Sequence, residues 1–427
     1  EKSSSEELYT ANADITSVRA VLAASVPRKF DAKVIDIKTA LLNARLPDSF
    51  ETVYVRPPQA LVEFGLVAPG TIWTVLKAIY GLRVAPKAWG VERDRELKRM
   101  EVSIHGQKHV FEQSHIDPSV WSVVRGSIVP EGAGGSARQT VTDSGSEPIA
   151  YIVVYVDDFL ILGASDTINE ITKIIADKWR ITDKPTLRFG AGGSVEYLSV
   201  DIQAVPDGWY LSQAVYCKDL LSKWSMDECR PITSLEDVSA DPQEEQEGAE
   251  PELNDVRQAQ RLAGGLNWLA TRTRPDISFY VSQLASAATR TPLRAIGLGK
   301  RCLRYLSGTR DHGIHMSAGA LRAQGRGTPV LEGFADASYE EGYAQTGVIV
   351  KLLGMTISWK STKQIQVPRS TAESECTAWP MDRSSLKASA ASTTPCAWRW
   401  PSRCSTATTR LQCISAPALR SGGQRRS

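Results

Sequence analysis

The 427-residue chain has no pair of cysteines at a metal-binding or redox spacing. Its seven cysteines include no CxxC motif, and three of them, Cys396, Cys404 and Cys413, fall near the C-terminal end. Structural zinc sites and disulfide frameworks in proteins depend on such spacings. The pattern therefore argues against both and fits a reducing compartment.

The chain also lacks a long apolar run and a strong net charge. No apolar segment reaches membrane-spanning length, because Asp157 and Asp158 interrupt the best candidate. The first residues, Glu1 to Glu7, lack the apolar core of a signal peptide. The formal net charge is only +2, so any binding to nucleic acid has to come from local basic clusters. These features indicate no membrane partner.

What the chain does have is enough length for two or three domains, and an acidic pair inside an apolar segment. Ile152–Tyr155 and Phe159–Leu162 read as two strands of a buried hairpin with Asp157 and Asp158 at its tip. Two carboxylates at an exposed turn can hold a hard divalent cation for phosphoryl transfer. The alternative is a surface hairpin with an acidic loop, although Asp-Asp is not a favoured two-residue turn. The hairpin alone does not decide between them.

Residue patterns divide the chain into four segments, and the first covers about residues 10–224. It mixes strand-like runs with a helical stretch at Pro86–Met100, which predicts an α+β fold. Within it, residues 126–148 are rich in Gly, Ser, Glu and Thr and read as a disordered loop. A linker dense in Glu, Asp and Pro follows at Leu235–Glu252. The predicted strands are Val34–Ile37, Val53–Arg56, Ile72–Val75 and Ile152–Leu162.

The third segment, Asp255–Leu306, has apolar residues at helical spacing and many basic residues. The basic residues could line a phosphate backbone, or they could simply cover solvated helix faces. Both interpretations stay open. The apolar positions are Leu262, Leu266, Leu269, Val281, Leu284 and Ala288, and the basic ones are Arg257, Arg261, Arg272, Arg274, Arg290, Arg294, Lys300, Arg301 and Arg304.

The fourth segment begins near Leu331 and alternates strand-like runs with a turn signal at Gly354. A helix is expected to follow from Ser370, because Ser370 and Glu373 form a capping box. The expected strands are Leu331–Phe334, Gly347–Leu353 and Thr356–Trp359.

Three motifs occur in order: Asp36 with the following Lys38–Asn43, the stretch Lys77–Trp89, and Tyr155–Asp158. Together they resemble the reverse transcriptase of copia-type long-terminal-repeat retrotransposons over most of residues 18–225. Further motifs resemble the downstream part of the same family, including its ribonuclease H domain. These are Thr273–Ile277, Lys300–Thr309, Phe334–Ser338, Ser358–Gln364 and Ser370–Glu375.

The resemblance implies an RNA-directed DNA polymerase, a nucleotidyltransferase that works with two Mg²⁺ ions, with Mn²⁺ as the alternative metal. Asp36 and Asp157 would bind the ions and Asp158 would complete the acidic cluster, because Mg²⁺ prefers oxygen ligands. In the ribonuclease H domain, Asp336 and Glu375 would be metal ligands. Glu373 competes with Glu375 for that role, but it is expected to serve as the capping residue.

The family's nucleotide-binding and template-binding positions fall on five further residues. Tyr80 and Gly81 match its second motif, where close approach of the backbone to the nucleic acid favours glycine. Tyr155 and Val156 precede the acidic pair. Leu41 stands where the family has an aromatic residue, and in related polymerases that ring blocks a 2′-hydroxyl. Weaker discrimination against ribonucleotides is therefore expected.

The resemblance also implies an architecture: a palm-type reverse transcriptase with truncated fingers, palm and thumb, a helical connection, and a ribonuclease H-like α/β domain. The implied partners are an RNA template, a DNA primer, an RNA–DNA hybrid and deoxynucleoside triphosphates, and the implied location is cytoplasmic, including virus-like particles. The predicted ranges are 10–234 for the reverse transcriptase, 235–254 for the acidic linker, 255–325 for the connection, 331–380 for a partial ribonuclease H domain, and 381–427 for an aberrant tail.

Both ends depart from the family pattern. The basic fingers that would grip the triphosphate are not found before Ser17, so the chain is expected to be a fragment of a longer polyprotein with poor activity alone. After Pro380 the apolar periodicity stops, which predicts a disordered or frameshifted tail. Suitable codons for Cys404–Leu411, read one nucleotide earlier, can encode a stretch similar to the family's strand with a third ribonuclease H carboxylate.

The sequence is therefore compatible with two functions. The intact Asp36, Asp157 and Asp158 favour a polymerase with a defective ribonuclease H domain. The absent fingers and the altered tail favour a non-catalytic relic that still binds nucleic acid.

Overall fold

The computed structural model describes residues 12–46, 52–130, 138–142, 146–235, 251–320, 330–340, 343–364 and 409–412. These residues divide into two compact units. Unit 1 extends from Phe30 to Thr186 with a short N-terminal part, and unit 2 combines Ile15–Lys29 with the chain from Leu187 onward. None of the helices in the described part has the length and apolarity to cross a membrane.

The described residues form eight α-helices and eighteen strands. The helices are α1 (Ile15–Ser25), α2 (Gln59–Glu63), α3 (Ala85–Leu97), α4 (Ser165–Lys178), α5 (Ala214–Lys223), α6 (Leu253–Arg272), α7 (Ser278–Ala287) and α8 (Pro292–Gly308). The strands are β1 (Asp31–Ile37), β2 (Tyr54–Val55), β3 (Trp73–Thr74), β4 (Glu101–Ile104), β5 (Gln107–Gln113), β6 (Val120–Pro130), β7 (Arg138–Thr142), β8 (Ala150–Tyr155), β9 (Asp158–Gly163), β10 (Ile181–Asp183), β11 (Ser194–Tyr197), β12 (Val200–Val205), β13 (Gly208–Ser212), β14 (Ile314–Ser317), β15 (Val330–Glu340), β16 (Tyr343–Leu352), β17 (Met355–Lys363) and β18 (Thr409–Gln412).

Unit 1 is built on an eight-stranded antiparallel sheet in the order β10-β1-β9-β8-β6-β5-β4, with β7 paired to β6. Its middle strands, β8 and β9, are almost wholly buried, which explains their continuous apolar sequence. Helix α4 contributes Ile168, Ile171 and Ile175 to the same core, at the spacing of an amphipathic helix. A mixed α/β architecture is thus confirmed.

Helix α3 begins inside the Lys77–Trp89 stretch and carries Pro86 at its first turn, where a missing backbone N–H costs nothing. It ends at Leu97, three residues before the predicted end. Trp89 and Leu97 are fully buried in the core of unit 1. The helix therefore fixes the residues after the Tyr80-Gly81 turn against the middle of the sheet.

Unit 2 contains a helical core and two four-stranded sheets. The helices α5, α6, α7 and α8 pack around the leucines predicted from periodicity, and Leu262, Leu266, Leu269 and Leu284 are all buried. One sheet has the order β11-β12-β13-β14 and the other β17-β16-β15-β18. The predicted turn at Gly354 is confirmed, with a φ of 77° that glycine adopts without strain.

The division between the units falls inside the range 10–234 that the sequence assigned to one domain. Residues from Leu187 onward group with unit 2, because β13 pairs with β14 far along the chain. Trp209 adds a hydrogen bond from its indole nitrogen to Ser25 Oγ at 2.9 Å, within unit 2. Long-range pairing of this kind leaves no trace in local periodicity.

The prediction of a disordered loop over residues 126–148 is wrong for two stretches. Gly126–Pro130 continues β6 and pairs in register with Arg138–Thr142 of β7. The run of β-branched residues Thr140, Val141 and Thr142 favours a strand, but the Gly, Ser, Glu and Thr composition of residues 126–148 led to the prediction of a loop. Within the predicted tail, Thr409–Gln412 pairs with β15, while the helix expected from Ser370 lies outside the described residues.

Candidate functional site

The acidic hairpin forms as predicted, but its turn lies one residue earlier than expected. Tyr155 pairs with Asp158, so the two turn residues are Val156 and Asp157, and Asp158 is the first residue of β9. Val156 has a φ of 53°, a left-handed conformation that β-branched residues rarely adopt. A positive φ at the first central residue but not at the second, Asp157, is the pattern of a type II′ turn, which matches the twist of paired strands.

Two buried side chains of α3 hold this strained turn, and sequence reasoning missed both. Trp89 donates a hydrogen bond from Nε1 to the Val156 carbonyl oxygen at 2.8 Å, and Arg93 donates to the same oxygen at 3.3 Å. Trp89 is fully buried and Arg93 is 1% exposed. The only available sequence signal was Trp89 itself, at the end of the Lys77–Trp89 motif, and an arginine one helical turn later.

Strand pairing in the sheet places Asp36 beside the hairpin turn. Strand β1 runs antiparallel to β9 with Asp36 directly opposite Asp158, so their side chains emerge on one face. The backbone N–H of Ile37 donates to the Asp157 carbonyl oxygen at 2.9 Å and fixes the turn against β1. Thr182 of β10 donates from Oγ1 to Asp36 Oδ2 at 3.2 Å. The structure thus brings together Asp36, Asp157 and Asp158 from segments about 120 residues apart in the chain.

The charge environment of the Asp157 carboxylate favours a bound cation. Burial raises the pKa of the Asp157 carboxyl above its usual range, a backbone hydrogen bond lowers it, and the neighbouring negative charge of Asp36 raises it. A divalent cation would relieve this repulsion, and carboxylate oxygens are the ligands that Mg²⁺ prefers. Among the residues the structure describes, however, no three His, Cys, Asp or Glu side chains are grouped so that they could hold a metal ion. Asp36 and Asp157 are thus close enough to interact electrostatically, but the described residues do not form a three-ligand metal site.

The predicted nucleotide-binding residues differ in their exposure to solvent. Tyr80 is 64% exposed and Tyr155 is 38% exposed, so both can reach a ligand. Gly81 has a φ of 94°, and a side chain added there would meet no atom within 4 Å, so the backbone conformation itself requires glycine. Leu41 is only 8% exposed and packs in the core of unit 1, whereas its neighbour Leu42 is exposed.

The two predicted ribonuclease H ligands cannot be compared in space. Asp336 is exposed in the middle of β15, opposite Gly347 of β16. Glu375 and its competitor Glu373 lie outside the described residues.

The basic residues of Asp255–Leu306 fall into two groups, those in contacts within the protein and those exposed to solvent. Arg274 is 2% exposed, and its guanidinium is held by Asp276 at 2.7 Å and by the Thr309 carbonyl oxygen at 2.7 Å. Arg272 lies over the Trp268 ring at 3.6 Å. These two arginines are structural, whereas Arg257, Arg261, Arg290 and Arg294 remain exposed.

A family model and several curated relatives match the amino-acid sequence of the chain. Residues 3–114 match the family model described as reverse transcriptase (RNA-dependent DNA polymerase). Two Pol polyproteins of Arabidopsis thaliana transposons are similar: that of RE1 is 31% identical over 368 residues and that of RE2 is 30% identical over 366 residues. Each alignment covers 84% of this chain.

The chain spans only about a fifth of these two relatives, 21% of RE1 and 22% of RE2. A putative transposon Ty5-1 protein of Saccharomyces cerevisiae is 27% identical over 354 residues, which is 79% of this chain and 96% of that protein. The chain is therefore related to the Pol polyproteins of copia-type retrotransposons and carries a segment of their reverse transcriptase.

Proposed function

We propose that the chain is an RNA-directed DNA polymerase that adds deoxynucleotides to a primer paired with an RNA or DNA template. The observation that carries the proposal is the convergence of Asp36 and Asp157, with Asp158 opposite Asp36, at a strained hairpin turn. Unit 1 would be the palm. The thumb, the connection and a ribonuclease H-like sheet would belong to unit 2.

Reverse transcriptases generally use divalent metal ions, and Asp36 and Asp157 are the residues that would hold them here. When bound, such ions lower the pKa of the primer 3′-hydroxyl and neutralise the charge of the leaving pyrophosphate. The protein's own contribution is positional. Trp89, Arg93 and the N–H of Ile37 fix the turn before substrate arrives, so that the carboxylates need no reorganisation.

The exposed residues around the turn suggest how the nucleic acid is held. Tyr80 and Tyr155 offer aromatic surface to a base or sugar, and Gly81 leaves open space beside the backbone. The primer–template would be held mainly through phosphates and the shape of the hybrid. The proposal includes loss of ribonuclease H cleavage, on the basis of the sequence after Pro380.

The specific alternative is a nucleic-acid-binding relic without turnover. One observation favours it: within the described residues, no cluster of three potential ligands is arranged for a metal ion. In that case the fold and the binding surface persist while the chemistry does not.

Primer extension on an RNA template with Mg²⁺ separates the two functions. The test compares the chain with Asp157→Asn and with a matched control, Asp177→Asn, whose side chain is exposed on α4 of the same unit. If the chain is a polymerase, the unmodified chain and the Asp177→Asn control will extend the primer. The Asp157→Asn variant will then give only background levels of extension. Binding of the primer–template without extension by any of the three proteins would establish the relic instead.

A further inference from the structure

A ring of hydrogen bonds encloses the strand end that leads into the acidic turn. It begins at Arg93 of α3, whose side chain is only 2% exposed. Its Nη1 donates to the Val156 carbonyl oxygen at 3.3 Å, whereas Nε and Nη2 donate to Asp94 Oδ1 at 2.8 and 2.7 Å. The Asp94 carboxylate therefore neutralises a buried guanidinium and fixes the direction in which Nη1 points.

Gln113, the last residue of β5, holds the other oxygen of Asp94. Its Nε2 donates to Asp94 Oδ2 at 2.9 Å and to the Pro118 carbonyl oxygen at 2.8 Å. A carboxylate and a carbonyl can only accept, so both protons of the amide are used and its orientation is fixed. A leucine at this position would offer neither proton, and a glutamate would place a second carboxylate against Asp94.

The ring closes on the strand from which the turn departs. Pro118 precedes Ser119, a fully buried residue whose carbonyl oxygen accepts from the Val154 backbone N–H at 2.9 Å. Val154 belongs to β8 and lies two positions before Val156. The bonds thus start and end on one stretch of chain and pass in order through Val154, Ser119, Pro118, Gln113, Asp94, Arg93 and Val156.

Val156 needs this support because of its backbone conformation. Its φ of 53° is one that β-branched residues rarely adopt, and such a conformation persists only where surrounding contacts enforce it. Trp89 donates to the Val156 carbonyl oxygen at 2.8 Å and uses one of its two lone pairs, so Arg93 can take the second. A guanidinium already fixed by Asp94 loses little conformational freedom when it makes that bond.

We infer that Asp94 and Gln113 are positioning residues for the acidic turn. They act through Arg93, which holds the Val156 carbonyl and thereby the backbone that presents the Asp157 carboxylate. This role deepens the proposed polymerase function and depends on it for its effect on catalysis. The mobility of the turn, in contrast, can be measured without any reaction.

Amide hydrogen exchange of the full chain, followed by mass spectrometry on a peptide that spans Ile152–Leu162, measures this mobility. Gln113→Leu should speed exchange in that peptide about threefold to tenfold, which corresponds to the loss of about one hydrogen bond. Asp94→Asn should speed it more, because it removes the charge that compensates the buried Arg93.

Two controls separate a local effect on the turn from a general loss of stability. Gln59→Leu removes a matched glutamine, whose Nε2 donates to Glu63 Oε1 at 2.9 Å on α2 of the same unit, and it should leave exchange in the turn peptide unchanged. A peptide from α4, Ser165–Lys178, should keep its exchange rate in the Gln113→Leu and Asp94→Asn variants.

A double variant tests whether Gln113 acts through Arg93. Arg93→Lys keeps the positive charge but lacks the planar fork that joins Asp94 to the Val156 carbonyl. Adding Gln113→Leu to Arg93→Lys should therefore change exchange at the turn by less than about twofold, since residues that act as one unit are not additive. A full additive effect would show that Gln113 acts independently of Arg93.

Primer extension supplies the readout that a merely structural role would not move. Gln113→Leu should lower kcat about threefold to tenfold and leave KM for the deoxynucleoside triphosphate unchanged, because the turn presents a carboxylate and not a binding surface. Exchange at the turn as in the unmodified chain, a fully additive double variant, or an unchanged kcat overturns the positioning role. Absence of extension by the unmodified chain refutes the proposed polymerase function instead, and the exchange rates then still decide whether Asp94 and Gln113 hold the turn.

Discussion

Replacing Trp89 by Phe should destabilise the acidic turn more than any comparable aromatic substitution in unit 1. The indole Nε1 donates to the Val156 carbonyl oxygen at 2.8 Å from a fully buried position. Val156 itself is held at a φ of 53°, a strain that costs about 1–3 kcal/mol and persists only because neighbouring contacts enforce it. Phenylalanine keeps most of the ring but has no proton to donate.

The expected magnitude follows from a second tryptophan in the same core. Trp121 is also fully buried, but its Nε1 has no hydrogen-bond partner among the residues that the structure describes. Trp121→Phe therefore removes a similar ring volume and no hydrogen bond. The loss caused by Trp89→Phe should exceed that of Trp121→Phe by about 1–3 kcal/mol, the cost of leaving a partly buried carbonyl poorly paired. The longer bond from Arg93, at 3.3 Å, offsets part of this loss.

Urea denaturation followed by far-ultraviolet circular dichroism measures both variants without relying on tryptophan fluorescence. Primer extension at saturating nucleotide should also fall in Trp89→Phe and persist in Trp121→Phe, because only the first releases the turn that carries Asp157. Equal losses of stability in the two variants would refute the reasoning, since the hydrogen bond would then contribute nothing to the turn.

Two further predictions concern charge and core packing. Burial acts to raise the pKa of Asp276, but the hydrogen bond and charge of Arg274, together with the Tyr305 hydroxyl, hold that pKa below its usual 3.8. The ion pair between Arg274 and Asp276 therefore stabilises the fold at pH values above 3.8. This stabilisation is lost as the pH falls through the lowered pKa of Asp276 in the folded state. Asp276→Asn should cost about 1–3 kcal/mol at pH 7, and its denaturation midpoint should approach that of the unmodified chain in acid; a constant difference across this range would contradict the assignment. Leu41→Phe should destabilise unit 1 by about 1–3 kcal/mol in urea denaturation, because the site is packed. The same variant should incorporate fewer ribonucleotides in primer extension, and equal rejection by both proteins would count against a sugar-selecting role for Leu41.

Local patterns predicted most of the elements that carry the candidate site. The continuous apolar runs before and after the acidic pair predicted β8 and β9, and the three-and-four spacing of Leu262, Leu266 and Leu269 predicted α6. Both signals depend on residues a few positions apart, so they can be read from the sequence alone. Strand β7, Arg138–Thr142, was missed because its flanking residues have the composition of a loop.

Roles that depend on distant contacts could not be predicted. Arg274 reads as one more basic residue of a helical segment, yet it is buried because Asp276 and Thr309 satisfy its guanidinium. Ser282 and Ser361 read as ordinary polar residues, yet Gln345 joins their hydroxyls across two elements. Thr309 is 35 residues from Arg274, and Gln345 is 63 residues from Ser282 and 16 from Ser361, beyond the reach of any local periodic pattern.

By itself, the sequence determined that Asp157 and Asp158 interrupt a buried hairpin and that Asp36 follows the apolar Val34 and Ile35 of another strand. The tertiary structure decided that Val156 and Asp157 form the turn, that Asp158 faces Asp36, and that Trp89 holds the turn from α3. The physical reason is that periodicity records which face of an element is buried, whereas register is set by hydrogen bonds between strands that are distant in the chain.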